Sequence, residues 1–237
     1  MTFIRSFPLN FNIPQLSFRS APAVNNPQIQ GEAIGDGFST NPLYDKFGSE
    51  EQIMAEAKSN PKIKDLLDKY KIPLKLNMQE LNQLKRGHMK ETRVFAAQIY
   101  SALPKEMKSE VNLPDLQEAA MFHDYGKVLV PASILNKAGS LSEDEHEIMQ
   151  LHSEFGYELL KNQHLSKGAL DMIKNHHNTD NSLGTQILST ADKYSALRES
   201  RCYKEPLSRE DALAIIKKDV ENGVIIPEVY EALAKSV

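Results

Sequence analysis

Residues 121–137 read Met-Phe-His-Asp-Tyr-Gly-Lys-Val-Leu-Val-Pro-Ala-Ser-Ile-Leu-Asn-Lys, and they constrain the fold more than any other stretch. Two large apolar residues, Met121 and Phe122, run directly into an imidazole and a carboxylate, His123 and Asp124. A chain that buries the first pair must bury the second or hold it at the edge of the core. Burying a charge is costly unless it is paired or bound to metal. Imidazole and carboxylate side by side are ligand types that hold a divalent metal. Lys127, three residues past Asp124, places a cation where an anion could be steered or held. Taken alone, the pair also has a plainer reading: Asp124 caps or pairs locally, and His123 is an ordinary core histidine.

The rest of the chain reads as helices. Ser49, with Glu50 and Glu51 behind it, starts one over 49–58, and Asn60-Pro61 separates it from another over 61–70. Asn77 is placed as the cap of a longer helix running to about 102. Leu81, Leu84, Phe95 and Ile99 form its apolar stripe, and His88 falls on it. Pro114 and Asp115 open a helix that runs into His123-Asp124. The irregular loop from Gly126 to Ser140 holds a short helical turn at Ala132–Leu135. Ser142 and Glu145 form a capping box for a helix to about Leu160. Its core face carries Ile148, His152, Phe155 and Leu159, with His146 off that face. Ser166 caps a helix ending in His176-His177, a pair whose plain role would be to complement the helix dipole. After a polar turn at 178–184, a helix over 185–199 carries Asp192, a poor mid-helix residue unless exposed or employed. Helices at about 208–220 and 227–235 complete an all-α bundle of six to eight helices, with no strand and no internal repeat.

Residues 1–48 differ in texture. Five prolines, from Pro8 to Pro42, and four glycines, from Gly31 to Gly48, break any periodic pattern. This segment is expected to be an irregular or disordered arm. Phe3, Phe7, Phe11 and Phe18 leave docking onto the main domain or a protein partner as the alternative. A short helical extension (49–75) and a main domain (76–237) follow. Hydrophobic residues make up 41% of the 237, enough for a sizeable core, and a net charge of -4 gives no footprint for a nucleic-acid polymer. The single cysteine, Cys202, excludes an internal disulfide and suits a reducing compartment. No stretch approaches the length of a membrane span, so the expected location is cytoplasmic.

His88, His123, Asp124, His152, His176, His177 and Asp192 come from five predicted helices, and most face the interior. One buried histidine is unremarkable packing. Several helices presenting imidazoles and carboxylates to one core is how bundles build metal centres. Asp124 could bridge two ions through its two oxygens, leaving positions open for water. Two such ions can lower the pKa of a water and clamp a phosphoryl group. With no cysteine in the set, iron or manganese suits these ligands, with magnesium, nickel or zinc as alternatives.

The order His88 … His123-Asp124 … Asp192 resembles the HD-domain metal-dependent phosphohydrolases, and within them the HD-GYP branch. Residues 123–142 match that branch's core nearly position by position. Glu147–His152, Asn175-His176-His177, Ser189–Leu197 with Arg201-Cys202-Tyr203, and Asn222–Val229 match its later segments. The resemblance spans about 80–235. It implies an HD-domain helical bundle in which the seven histidines and aspartates are metal ligands and Asp124 bridges two ions. It further implies that Lys127 contacts a substrate phosphate and a bridging hydroxide attacks phosphorus. Cyclic dinucleotides, cyclic di-GMP above all, are that branch's substrates. Arg201 and Tyr203 would line the pocket mouth. Two departures stand out. The Gly-Tyr-Pro loop that follows the double histidine is reduced here to Asn178–Gly184. Leu84 stands where some members carry a third-metal glutamate, which favours two ions. The expected function is hydrolysis of a nucleotide-type phosphoester. The alternatives are a catalytically silent sensor or adaptor for a nucleotide or protein partner, and a di-iron oxygenase.

Overall fold

The computed structural model describes residues 48–178, 182–199 and 205–237. Within these, ten α-helices of nine or more residues, two four-residue helices and one 3-10 helix account for the regular structure, with no strand. No helix among the described residues is long and apolar enough to cross a membrane. The predicted N-terminal arm lies outside the described residues except for Gly48.

Helix α1 (Glu50–Ser59) starts at Ser49, whose hydroxyl accepts from the Gln52 N–H at 3.2 Å. Asn60 caps α2 (Pro61–Lys69), accepting from the Lys62 and Ile63 N–H groups. Its amide also donates to the Glu158 carboxylate at 2.8 Å, fastening this helical pair to the long helix that carries Glu158. Ile53, Ala57, Ile63 and Leu67 are buried, so the pair shares the core.

The single helix expected from Asn77 to about 102 is two helices, α3 (Met78–Arg86) and α4 (His88–Ala102). Gly87 separates them with φ -109° and ψ -100°, a backbone outside the helical and extended wells. His88 therefore opens a helix instead of lying midway along a stripe. Phe95 is only half-buried, and the buried face of α4 is His88, Met89, Thr92, Ala96 and Ile99. Asn77 does not cap α3 through its side chain either. Its amide donates to the Val130 carbonyl, and its N–H donates to the Val128 carbonyl at 2.8 Å, pinning α3 to the segment after Asp124.

The four-residue α5 (Lys105–Lys108) leads to α6 (Leu113–Phe122), capped by Asn112, with Pro114 in its first turn. A 3-10 helix (Tyr125–Leu129) and the predicted short turn, α7 (Ala132–Leu135), follow. The capping box at Ser142 and Glu145 forms with both hydrogen bonds present and starts α8 (Glu143–Leu160). Ser166 caps α9 (Lys167–Asn175), and Ser182 caps α10 (Leu183–Arg198). The bundle closes with α11 (Arg209–Glu221) and α12 (Pro227–Ser236). The helix count exceeds six to eight because Gly87 divides one element and α1 and α2 join the same core.

One close approach sets the interior. A Cβ on Gly126 would lie 2.0 Å from the His152 carbonyl oxygen and 2.4 Å from the Gly156 nitrogen. Only glycine lets the 3-10 helix sit directly on the backbone of α8. Around this contact Phe122, Leu129, Phe155, Leu160 and Ile173 are fully buried, each contributing about 1.5–3 kcal/mol of transfer free energy.

Candidate metal centre

The seven predicted site residues converge in the interior. His123 caps the C-terminus of α6, and Asp124 follows at φ -93°, ψ 5°, turning the chain into the 3-10 helix. His88 starts α4, His152 lies midway along α8, and His176 caps α9. Asp192 lies on α10 beside the buried Leu188 and Ala191. The Ser189 hydroxyl donates to the His176 carbonyl, tying the double-histidine turn to α10. His88, His123, Asp124, His152 and His176 are at most 3% exposed.

Two three-residue groups form, each with its ligand atoms within 4.8 Å of one another: His152, His176 and His177, and His88, His123 and Asp192. Asp124 lies between them. Its Oδ1 is 3.3 Å from His152 Nε2, and its Oδ2 is 3.5 Å from both His88 Nε2 and His123 Nε2. Lys127 Nζ reaches the same Oδ2 at 2.7 Å. The rings of His123 and His176 join the groups edge to face at 5.2 Å.

Backbone carbonyls orient three of the rings. His123 Nδ1 donates to Ala120 O at 3.0 Å, His152 Nδ1 to Met149 O at 2.6 Å, and His176 Nδ1 to Ile173 O at 2.7 Å. A carbonyl only accepts, so each Nδ1 carries the proton and each Nε2 faces the centre. Burial, and then neighbouring His177, lowers the His152 pKa to about 3. The same two causes hold His176 well below the ordinary imidazole value, and burial also lowers His177. The neutral rings of His152 and His176 thus turn bare lone pairs toward each other at 3.2 Å. That contact is repulsive unless a cation is shared between them, as it is among metal ligands.

The other group is charged. Burial opposes charge on His123, but Asp124 and Asp192 overcome it and raise its pKa to about 10. Its Nε2 is 3.5 Å from an oxygen of each carboxylate and makes no hydrogen bond. The proton there is held by the field of two anions. Asp124 and Asp192 resist burial in turn, held well below the carboxylate range by Lys127 and His123 and by His123 and His88 respectively. With Asp124 between them, each group offers nitrogen and oxygen donors to an ion and no thiolate, and the donor set fits a divalent cation. Leu84, at the position of a possible extra ligand, is buried.

Two contributors escaped the sequence reading. Ser195 Oγ lies 3.0 Å from His88 Nδ1 and donates to Glu91 Oε2 at 3.3 Å. Ser195 is three residues past Asp192, and Glu91 three past His88, so helical i, i+3 spacing was the available signal. Arg201 and Tyr203, proposed at the pocket mouth, lie outside the described residues. So does the middle of the shortened loop, at 179–181.

The HD domain model matches residues 86–197, the stretch that contains all seven. The cyclic di-GMP phosphodiesterase response regulator RpfG of Xanthomonas campestris pv. campestris is 36% identical over 123 residues, covering 46% of this chain and 32% of that protein. A cyclic di-GMP phosphodiesterase of Thermotoga maritima is 32% identical over 142 residues, 54% of this chain and 38% of its own length. The 3'3'-cGAMP-specific phosphodiesterase 3 of Vibrio cholerae is 33% identical over 135 residues, 52% of this chain and 29% of its own. The chain thus spans well under half the length of these relatives. Residues 86–197 are thus an HD domain, and the relatives to which this stretch is similar are named as cyclic di-GMP or 3'3'-cGAMP phosphodiesterases.

Proposed function

We propose that this chain is a metal-dependent phosphohydrolase of phosphodiesterase type, using two divalent ions on a nucleotide-type substrate. The observation that carries this reading is the position of Asp124, whose two oxygens face two separate groups of ligands. In it, His152, His176 and His177 hold one ion, His88, His123 and Asp192 hold the other, and Asp124 is shared. Bound there, such ions supply the Lewis acidity that phosphodiester cleavage needs. Iron or manganese suits the nitrogen and oxygen donors.

The chain's own groups do the rest. Lys127 is 18% exposed and Asp192 19%, and His177 is also partly exposed, whereas His88, His123, Asp124, His152 and His176 are nearly sealed, so substrate enters on the side lined by Lys127, His177 and Asp192. Lys127 exchanges its contact with Asp124 for a phosphate oxygen once other cations balance that carboxylate, and so orients the anion. Arg201 and Tyr203 are proposed substrate contacts on their sequence position alone. The names of the relatives make cyclic dinucleotides the first substrates to try, in a cytoplasmic setting.

The test is metal content beside hydrolysis of cyclic di-GMP, 3'3'-cGAMP and a generic phosphodiester. About two equivalents of iron or manganese with turnover is the expected result. Lys127→Ala should keep the metal and weaken substrate binding about tenfold, the loss of one charged hydrogen bond. Metal without turnover on any phosphoester would favour the silent sensor, a reading supported by the missing Gly-Tyr-Pro sequence at 178–184. Less than one equivalent after reconstitution would overturn the proposal.

A further inference from the structure

His176 ends α9 as its C-cap, and the carbonyls of a helix's last turn have no partner within the helix. The His176 carbonyl also belongs to the peptide unit that joins the two adjacent site histidines. A peptide unit is planar, so fixing the direction of its carbonyl fixes the direction in which His177 leaves it. Two hydrogen bonds shape this turn locally. The Asn178 N–H donates to the Asn175 carbonyl at 2.8 Å, and the Asn175 amide donates to the Asp171 carbonyl at 2.8 Å. Neither reaches α10. Ser189, one turn before Asp192 on α10, donates across to the His176 carbonyl. A helical serine hydroxyl commonly turns back to its own backbone. This one also meets the Thr185 carbonyl at 2.9 Å, so one proton is shared between its own helix and the double-histidine turn.

We propose that Ser189 is a positioning residue for His176 and His177: its hydroxyl fixes the peptide unit between them and so the angle at which the two rings are presented. The rings lie 3.9 Å apart between centroids at 46°, and His177 Nε2 is 3.0 Å from His152 Nε2. The His176 ring has an anchor of its own in the Ile173 carbonyl at 2.7 Å. His177 is partly exposed and takes its aim from the main chain that Ser189 holds. Because Ser189 and Asp192 are three residues apart on one helix, the helix that gives a carboxylate to one group also sets the imidazoles of the other. The consequence for metal affinity rests on the two-ion reading above, whereas the placement of the peptide unit does not.

Carbonyl carbon shifts and ring-to-ring NOEs on the full, metal-free chain read that placement directly. Ser189→Ala should move the His176 carbonyl resonance and weaken the NOE between His177 and His152, leaving the NOE between His88 and His123 in place. Ser189→Thr, which keeps the hydroxyl, should restore both. Calorimetric titration with Mn2+ is the second readout. Ser189→Ala should weaken the equivalent that His176→Ala removes by about tenfold or more and leave the other within about twofold, the usual scale for losing an orienting partner. Ser189→Thr should return that affinity to within about threefold of wild type. Ser189→Cys, close in size with only a weak donor, should fall between, and it carries the test if Ser189→Ala folds poorly. An unchanged carbonyl shift and unchanged NOEs would overturn the proposal. So would a lowered melting temperature with both Mn2+ affinities kept, the result of a bond that only stabilises the bundle. If wild type takes up no Mn2+, the two-ion reading fails, and the carbonyl shift and NOEs still decide the role of Ser189.

Discussion

The group of His152, His176 and His177 and the group of His88, His123 and Asp192 flank one carboxylate, yet they carry opposite electrostatics. The first contains three imidazoles with lowered proton affinity, and its packing leaves lone pairs face to face at 3.2 Å. The second contains a carboxylate and a histidine raised to about 10, so it holds a proton of its own. Before any ion arrives, one side therefore lacks a positive charge and the other has a substitute for it. Burial alone would have discharged both sides. The difference arises because Asp124 and Asp192 flank His123, whereas His152 and His176 have the neighbouring His177 ring opposing charge on them, and it teaches that two groups of the same size need not load alike.

Removing the shared element should have the largest effect. Asp124→Ala takes the carboxylate from both groups at once, so metal content should collapse and phosphoester hydrolysis fall by at least about 10³-fold. Elemental analysis and turnover on one preparation check this, and retained turnover would sink the bridging role. Next come the side-specific changes. His176→Ala should cost one equivalent of metal and His88→Ala the other, each leaving about one behind. If either variant loses both, the sides are not separate and the contrast fails.

The smallest effect is also the sharpest. Between pH 3 and 10, His123 carries a proton in the metal-free chain and His152 does not. An ion that displaces it must release it, since a ligand nitrogen cannot keep its proton. Calorimetric titration with Mn2+ in two buffers of different ionisation enthalpy should show release of about one proton at pH 7, all from one equivalent. Affinity for that equivalent should rise about tenfold per pH unit through neutrality, with the other nearly flat. In His123→Ala the released proton should disappear.

Much of this was visible before any coordinates. The capping box at Ser142, the caps at Ser49 and Ser166, and the core face of α8 are local features written in short-range chemistry. The identity of the seven converging residues was legible too, because polar groups on apolar faces need a reason. The break at Gly87 was not, since a lone glycine within a helical pattern is often tolerated. Nor was the use of Asn77, whose amide found a carbonyl 53 residues away instead of its own helix. The Glu91–Ser195 contact spans 104 residues and depends on the relative rotation of α4 and α10, which no local pattern encodes.

The contact at Gly126 gives the interior a fixed gauge. Asp124 and His152 are separated by main chain resting on main chain, with no rotatable side chain in between. A rotamer change cannot lengthen that spacing, and a substitution on the outer surface has no lever on it. Recognition can therefore be recut at the mouth while the reactive interior keeps its dimensions. Sequence at the mouth can thus change while the seven converging residues stay in place.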